Sequence, residues 1–203
     1  MSAYPVVSNP YGFKPVNRVD GLPYAGVIRQ IPIASNYNTA LYNGSVVAIT
    51  TGGTIALATA GASEVTSTNI LGVFVGCQYV NSQGQTVQAQ YYPGTTVTNA
   101  IAYVIDDPMA AYKVAVANAT GVVTTVTQAA VGTNMSYYNG TGSTTTGDAG
   151  GWVLAGSGAN TATLPFRVIA VVPDTNVTAT TFCEVIVKVN TDQYNTALAN
   201  NLS

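Results

Sequence analysis

The chain has 203 residues, 47% of them hydrophobic and 7% charged, with 6 basic and 8 acidic side chains and a formal net charge of −2. That charge is too sparse for nucleic-acid binding, which needs clustered Lys and Arg to displace counterions, and the hydrophobic content excludes a disordered chain. The lack of any His removes Ser-His-Asp and Cys-His catalysis and imidazole metal sites.

The first residues, MSAYPVVSNPYGF, carry neither a basic stretch nor a long apolar run, so no secretory signal is expected. No window reaches the ~18 apolar residues of a membrane-spanning helix. Residues 1–24 read as an extended arm. Pro5, Pro10, Pro15 and Pro23 remove donors and push their predecessors towards extended backbone. Tyr4, Tyr11, Phe13 and Tyr24 suit anchors on a partner, since rigid aromatics dominate interfaces. The residues alone leave two outcomes open: the arm packs along a neighbour, or it folds back on its own body.

Residues 25–190 read as one β domain. Val27–Ile33 and Val46–Thr50 are expected strands, and Gly52-Gly53 marks a hairpin into Thr54–Ala58. Residues 61–69 form a polar loop. Ile70–Val80 is the most apolar run, the best candidate for a strand buried on both faces, with Gly72 and Gly76 marking a bulge or close backbone approach. Further strands are expected over Thr86–Tyr92, Ile101–Ile105, Tyr112–Ala117, Val122–Val126, Met135–Tyr138, Trp152–Ala155, Phe166–Val172 and Phe182–Val189. In the last, Cys183, Val185, Val187 and Val189 share the core face, while Glu184 and Lys188 face water. One helical turn is expected through Met109 and Ala110, and a short helix over Thr127–Val131. The run NGTGSTTTGDAGG, residues 139–151, has the composition of a mobile exposed loop. Thr191–Leu202 suits a short amphipathic helical tail, residues 191–203 being counted as a tail. About ten short strands with turns between them specify an all-β chain: a compact antiparallel β-barrel or sandwich with an extended N-terminal arm.

No constellation proposes a reaction. Cys77 and Cys183 sit in apolar strands and are expected as free, buried thiols. Asp106-Asp107 is the one acidic cluster, and its place before Pro108 suits a turn or cap better than a Ca²⁺ site. No cofactor or metal is implied, and the chain is not expected to be an enzyme.

Several segments resemble a family of small structural proteins from tailed bacteriophages, marine ones especially. The arm reads Asn9-Pro10-Tyr11-Gly12-Phe13-Lys14-Pro15-Val16, with Lys14 where the family more often has Arg. Pro23–Ala34, Gly44–Ile49, Ile70–Tyr79 and Pro165–Val172 continue the likeness in order along most of the chain. The resemblance implies a virion protein, made in the host bacterial cytoplasm, that decorates or cements the outer surface of the phage head. Its partners would be the major capsid protein and copies of itself, as a homotrimer or a dimer, with neither nucleic acid nor membrane. The arm residues expected to touch the capsid are Tyr4, Pro10, Tyr11, Phe13, Lys14, Pro15, Arg18 and Tyr24. The alternatives are another virion component (minor capsid, head-fibre or tail protein) and a glycan-binding β-module.

Overall fold

The structure, a computed structural model, describes residues 9–58, 70–94, 97–160, 162, 164–173, 175 and 183–194. The chain is all-β. In order its strands are β1 (Lys14–Arg18), β2 (Arg29–Pro32), β3 (Leu41–Tyr42), β4 (Val46–Ile49), β5 (Ile55–Leu57), β6 (Gly72–Val80), β7 (Thr86–Ala89) and β8 (Tyr91–Tyr92). There follow β9 (Thr98–Ile105), β10 (Ala110–Ala117), β11 (Asn134–Met135), β12 (Tyr137–Tyr138), β13 (Trp152–Leu154), β14 (Phe166–Val171) and β15 (Glu184–Val189). A 3-10 turn over Gln128–Ala130 precedes Gly132, within the segment expected as a short helix.

Two sheets carry the body. The first is ordered β11-β14-β15-β10-β13-β12, with β1 also paired to β10. The second is ordered β2-β9-β6-β4-β5, with β7 on β6. A parallel bridge between Ile33 and Ile55 brings the end of β2 back beside β5, so the second sheet curls towards a barrel. Pairing is antiparallel throughout the two sheets except between β10 and β13, where Val116 faces Val153 in parallel. β3 and β8 form a separate two-stranded ribbon.

Alternation explains how two cores arise. Along β4, Val46 and Ala48 face a main core shared with the first sheet, while Val47 and Ile49 face a second core inside the curled sheet. β6 does the same with Val73 and Val75 against Phe74, which is the double burial expected of that run. A register shift between Phe74 and Gly76 resets the alternation, so Cys77 returns to the second core. At Gly72 a side chain would collide with the Ile105 carbonyl oxygen.

Cys77 and Cys183 are free and buried in different cores. Burial pushes the Cys77 thiol up to about 12 and raises that of Cys183 as well.

Four local expectations are corrected. The strand over Val122–Val126 shrinks to a bridge between Ala117 and Val123 and a bond from Thr124 N to Val116 O. β13 already pairs with Val116 and Ala117 there, and the Cys183 carbonyl takes Val116 N. At Met109 the chain makes a turn: Asp107 Oδ1 accepts from Met109 N, and Ala110 opens β10. Residues 139–151 are fastened: Asn139 bonds both Val46 N and Val46 O, Asp148 bridges Asn43, and Ala149 is buried. Within it, Thr141 and the tip Ser143–Thr146 are exposed. Thr191–Tyr194 are not helical: Asp192 bridges Ile70, and the Gln193 amide bonds Ile49 N and Ile49 O at 2.8 Å each. The polar loop expected over 61–69 and the rest of the tail lie outside the described residues.

Candidate functional site

The N-terminal segment enters the body at Asn9 and is held at four points. First, the Tyr11 hydroxyl donates to Glu184 Oε1, with Lys113 Nζ 3.4 Å from the same oxygen and 5.9 Å from the centre of the Tyr11 ring. The Glu184 side chain is only 3% exposed. It was expected on a wet face; Tyr11 covers it. Burial, reinforced by the Glu184 carboxylate, pushes the Tyr11 hydroxyl well above the ordinary phenol range.

Second, Phe13 is fully buried. Its ring stacks on Phe166 at 4.6 Å and meets Tyr137 edge-on at 6.3 Å. Gly12 N and Phe13 N bond Gly151 O and Gly44 O. Gly12 has φ +82°, and a side chain there would lie 2.8 Å from both Ala149 Cβ and Gly44 O, so the approach needs glycine. Third, Lys14 Nζ donates to Asp148 Oδ1 at 2.6 Å and to Asn43 Oδ1 at 2.9 Å. Fourth, β1 pairs with β10, Pro15 facing Tyr112 and Arg18 facing Ala110. Arg18 also bonds Asp107 at 2.7 Å and Asp20 at 2.9 Å.

This corrects part of the expectation for the arm. Phe13 is a core residue and has no surface to offer a partner. Tyr11 and Lys14 spend their polar atoms internally. The reason is an open position in the first sheet: β13 pairs only with Val116 and Ala117, leaving the start of β10 a free edge that β1 fills. Segment 9–18 therefore does not wait for a partner to become ordered. Pro10 sits in the wall of a surface cleft, Tyr24 packs its ring against the main core and donates to Val27 O, and Tyr4 lies outside the described residues.

The surface feature that sequence reasoning missed comes next along the chain. Among the described residues, the exposed large apolar side chains are Val16, Val19, Leu22, Val27, Ile28, Met109, Tyr194 and the remote Val122. Val19, Leu22, Ile28 and Tyr194 connect, directly or through Arg18 and Arg29, to the turn at Asp106–Met109. Val19 N bonds Met109 O, and Leu22 O accepts from Arg18 N. Arg29, next to Ile28, lies 2.7 Å from Asp106, as a charge pair and without hydrogen-bond alignment. The same guanidinium sits 5.1 Å above the Tyr194 ring. Scattered apolar residues are ordinary, but a contiguous set marks an interaction face. The charges among them are spent on one another: Arg18 with Asp20 and Asp107, Arg29 with Asp106. Two arginines thus meet three carboxylates, with Asp192 a further acid close to Asp106, so the face is apolar with paired cations and a slight negative balance. The signal was present in VNRVDGLPYAGVI, an aliphatic-rich run without the period of a buried strand.

The cleft, of about 720 Å³, lies at the other side of the segment, walled by Asn9, Tyr11, Thr120, Ser143, Asp148 and Trp152. Its ionisable groups are engaged, Tyr11 with Glu184 and Asp148 with Lys14. Trp152 is 7% exposed and stacks on Tyr138 at 4.6 Å, so it presents no open aromatic face. Among the described residues, no three Asp, Glu or Cys side chains converge as a metal site, and no helix is long and apolar enough to cross a membrane. No protein-family model, curated protein or solved structure matches the chain.

Proposed function

We propose that this chain is a structural protein of a tailed-phage virion, a decoration protein that binds the outer surface of the head and ties neighbouring capsid subunits together. The observation that carries the reading is the apolar face around Asp106–Met109, on which both arginines are ion-paired. The family-like segments Asn9–Val16, Ile70–Tyr79 and Pro165–Val172 give that face its context. The contact set moves accordingly, from the whole arm to residues 19–28, with Leu22, Val27 and Ile28 as anchors. Leu22 is 59%, Val27 53% and Ile28 49% exposed. Covering the remainder of each contributes on the order of 1 kcal/mol at ~25 cal/mol per Å². One copy therefore binds modestly, and the effect on a shell comes from repetition. The protein does no chemistry in this role, and it reaches the virion after synthesis in the bacterial cytoplasm.

Cyclic self-association suits positions on an icosahedral shell. We favour a homotrimer at local threefold positions over a dimer at twofolds. Light scattering that gives a monomer at every concentration, with single isolated copies on particles, rules both out.

The test is to add purified protein to undecorated heads and image them. Regular density on the outer head surface and a raised rupture temperature are expected. Density confined to tails or fibres points to the other virion roles, and no binding removes the reading. A glycan-binding module is disfavoured by the covered ring of Trp152.

A further inference from the structure

Four of the six basic side chains meet a carboxylate: Lys14 with Asp148, Arg18 with Asp20 and Asp107, Arg29 with Asp106, and Lys113 with Glu184. The other two, Arg167 and Lys188, meet none among the described residues. Yet the register sets them directly opposite each other, Arg167 on β14 and Lys188 on β15. Like charges in that position are destabilising. In a chain only 7% charged, such a pair is not the by-product of a crowded surface. Both belong to the outer face of the first sheet, since Val168, Val187 and Val189 alternate with them into the main core. Lys113 stands on the same face, opposite Ile186 and so diagonal to Lys188. Among the described residues, the carboxylate of that face is Glu184, which is buried and taken by Tyr11 and Lys113. Asn134 Oδ1 accepts from Arg167 Nε at 3.2 Å, which fixes the exposed guanidinium and leaves its Nη groups unbonded among the described residues. Ile186 and Ala170, both half-buried, fill the next row of the sheet. A fixed guanidinium fork matches a carboxylate, and the ammonium beside it adds a point charge. A nucleic-acid backbone needs a denser basic footprint and gains nothing from Ile186 and Ala170. An acidic protein surface uses both the cations and the apolar row.

We propose that the outer face of the first sheet, at Arg167 and Lys188, binds a carboxylate-bearing segment of a partner protein. The free chain carries the like-charged pair uncompensated, and the partner relieves it. This face shares no residue with the apolar one around Asp106–Met109. The chain then has two separate contact surfaces, as a protein that ties two neighbours together requires. The inference rests on the decoration role only for the identity of the partner, a second capsid subunit, so its test uses the free protein.

The experiment titrates the isotope-labelled full chain with a hexaglutamate peptide at low salt and follows the amide resonances. Shifts centred on Arg167, Ile186 and Lys188 are expected, and they should vanish at about 1 M salt, where charges are screened beyond about 3 Å. Hexaglutamine should cause none, and a thymidine hexanucleotide of similar charge should bind at least about tenfold more weakly. No shifts with hexaglutamate, or shifts centred elsewhere, overturn the proposal. Equal effects from hexaglutamine overturn it too, and equal or tighter binding of the oligonucleotide overturns it in favour of a phosphate site. A second test uses Lys188→Glu, which turns the like-charged pair into an opposite one. It is expected to lose the hexaglutamate shifts and to raise the melting temperature of the free protein by about 1–3 °C. A lowered melting temperature, or retained peptide binding, contradicts a pair kept for a partner. Capsid occupancy enters none of these readouts, so a failure here is distinct from a failure of the decoration role.

Discussion

Residues 9–18 carry Tyr11 and Phe13 inward, whereas residues 19–28 turn Leu22, Val27 and Ile28 to solvent. Both stretches are rich in proline, glycine and large apolar side chains, and neither has a period. The difference lies in the body behind them. The first runs along an open edge of β10 and past the ring stack of Phe166 and Tyr137. The second crosses from the edge of the first sheet to the edge of the second, over a turn whose charges are already paired. Composition identifies an anchor; only the surface behind it decides whether the anchor points home or away.

The sharpest way to break this comparison is to cut one side chain from each half. Phe13→Ala should cost about 3–5 kcal/mol, the usual range for a buried aromatic. Leu22→Ala should change stability by no more than about 0.5 kcal/mol. Urea unfolding measures both, and equal midpoints for the two variants contradict the inward assignment of Phe13.

A smaller effect is expected at Tyr11→Phe. It leaves the buried Glu184 carboxylate with only Lys113 at 3.4 Å. Loss of a hydrogen bond to a buried charge costs about 1–3 kcal/mol. The outward half offers the contrast: Tyr24→Phe, which removes a hydroxyl serving Val27 O near the surface, should cost under about 1 kcal/mol. Equal losses in the two variants, read from the same urea titrations, contradict the fastening at Glu184.

Tyr11 also gives a pH dependence. Tyr11 and Tyr112 have their pKa values raised in the folded chain, chiefly by burial. A group raised on folding stabilises fully below its unfolded value, here 10.0, and loses that contribution as pH rises beyond it. Stability should therefore hold to about pH 9 and fall above 10, each such group adding about 1.4 kcal/mol per pH unit. In Tyr11→Phe the decline should be shallower by one group's share. A decline of the same slope in both proteins removes Tyr11 from the fastening.

The least effect belongs to the partly exposed pair Lys14–Asp148. Lys14→Met should cost at most about 1 kcal/mol, because solvent screens such pairs. A larger loss in thermal melting points to Asn43 as the partner that matters.

The strands were legible because their signals are local. Thr50–Thr54 closes the hairpin marked by Gly52-Gly53, and the unbroken apolar run at Ile70–Val80 foretells a strand between two cores. The inward path of Phe13 was not legible, since it depends on how little of β10 is paired by β13, a matter of topology. The fastening of residues 139–151 was hidden for the same reason: Asn139 reaches the β4 backbone at Val46, 93 residues away, and Gly/Ser/Thr composition says nothing of it. The exposed face could be read as aliphatic residues without a period, but not gathered into one patch, because Met109 and Tyr194 join it from distant parts of the chain.

The central claim is that attachment to a partner lies in residues 19–28 and the fastening of the chain in residues 9–18. Undecorated heads should be incubated with wild type, with Tyr11→Phe, and with Leu22→Asp combined with Ile28→Asp, and copies per head counted. Tyr11→Phe, at a temperature where it is folded, should bind like wild type. The double aspartate variant should remain folded and lose at least about tenfold in occupancy at limiting concentration, the loss of roughly 1.4 kcal/mol or more. Full occupancy by the double variant contradicts the claim and moves attachment to another face of the body.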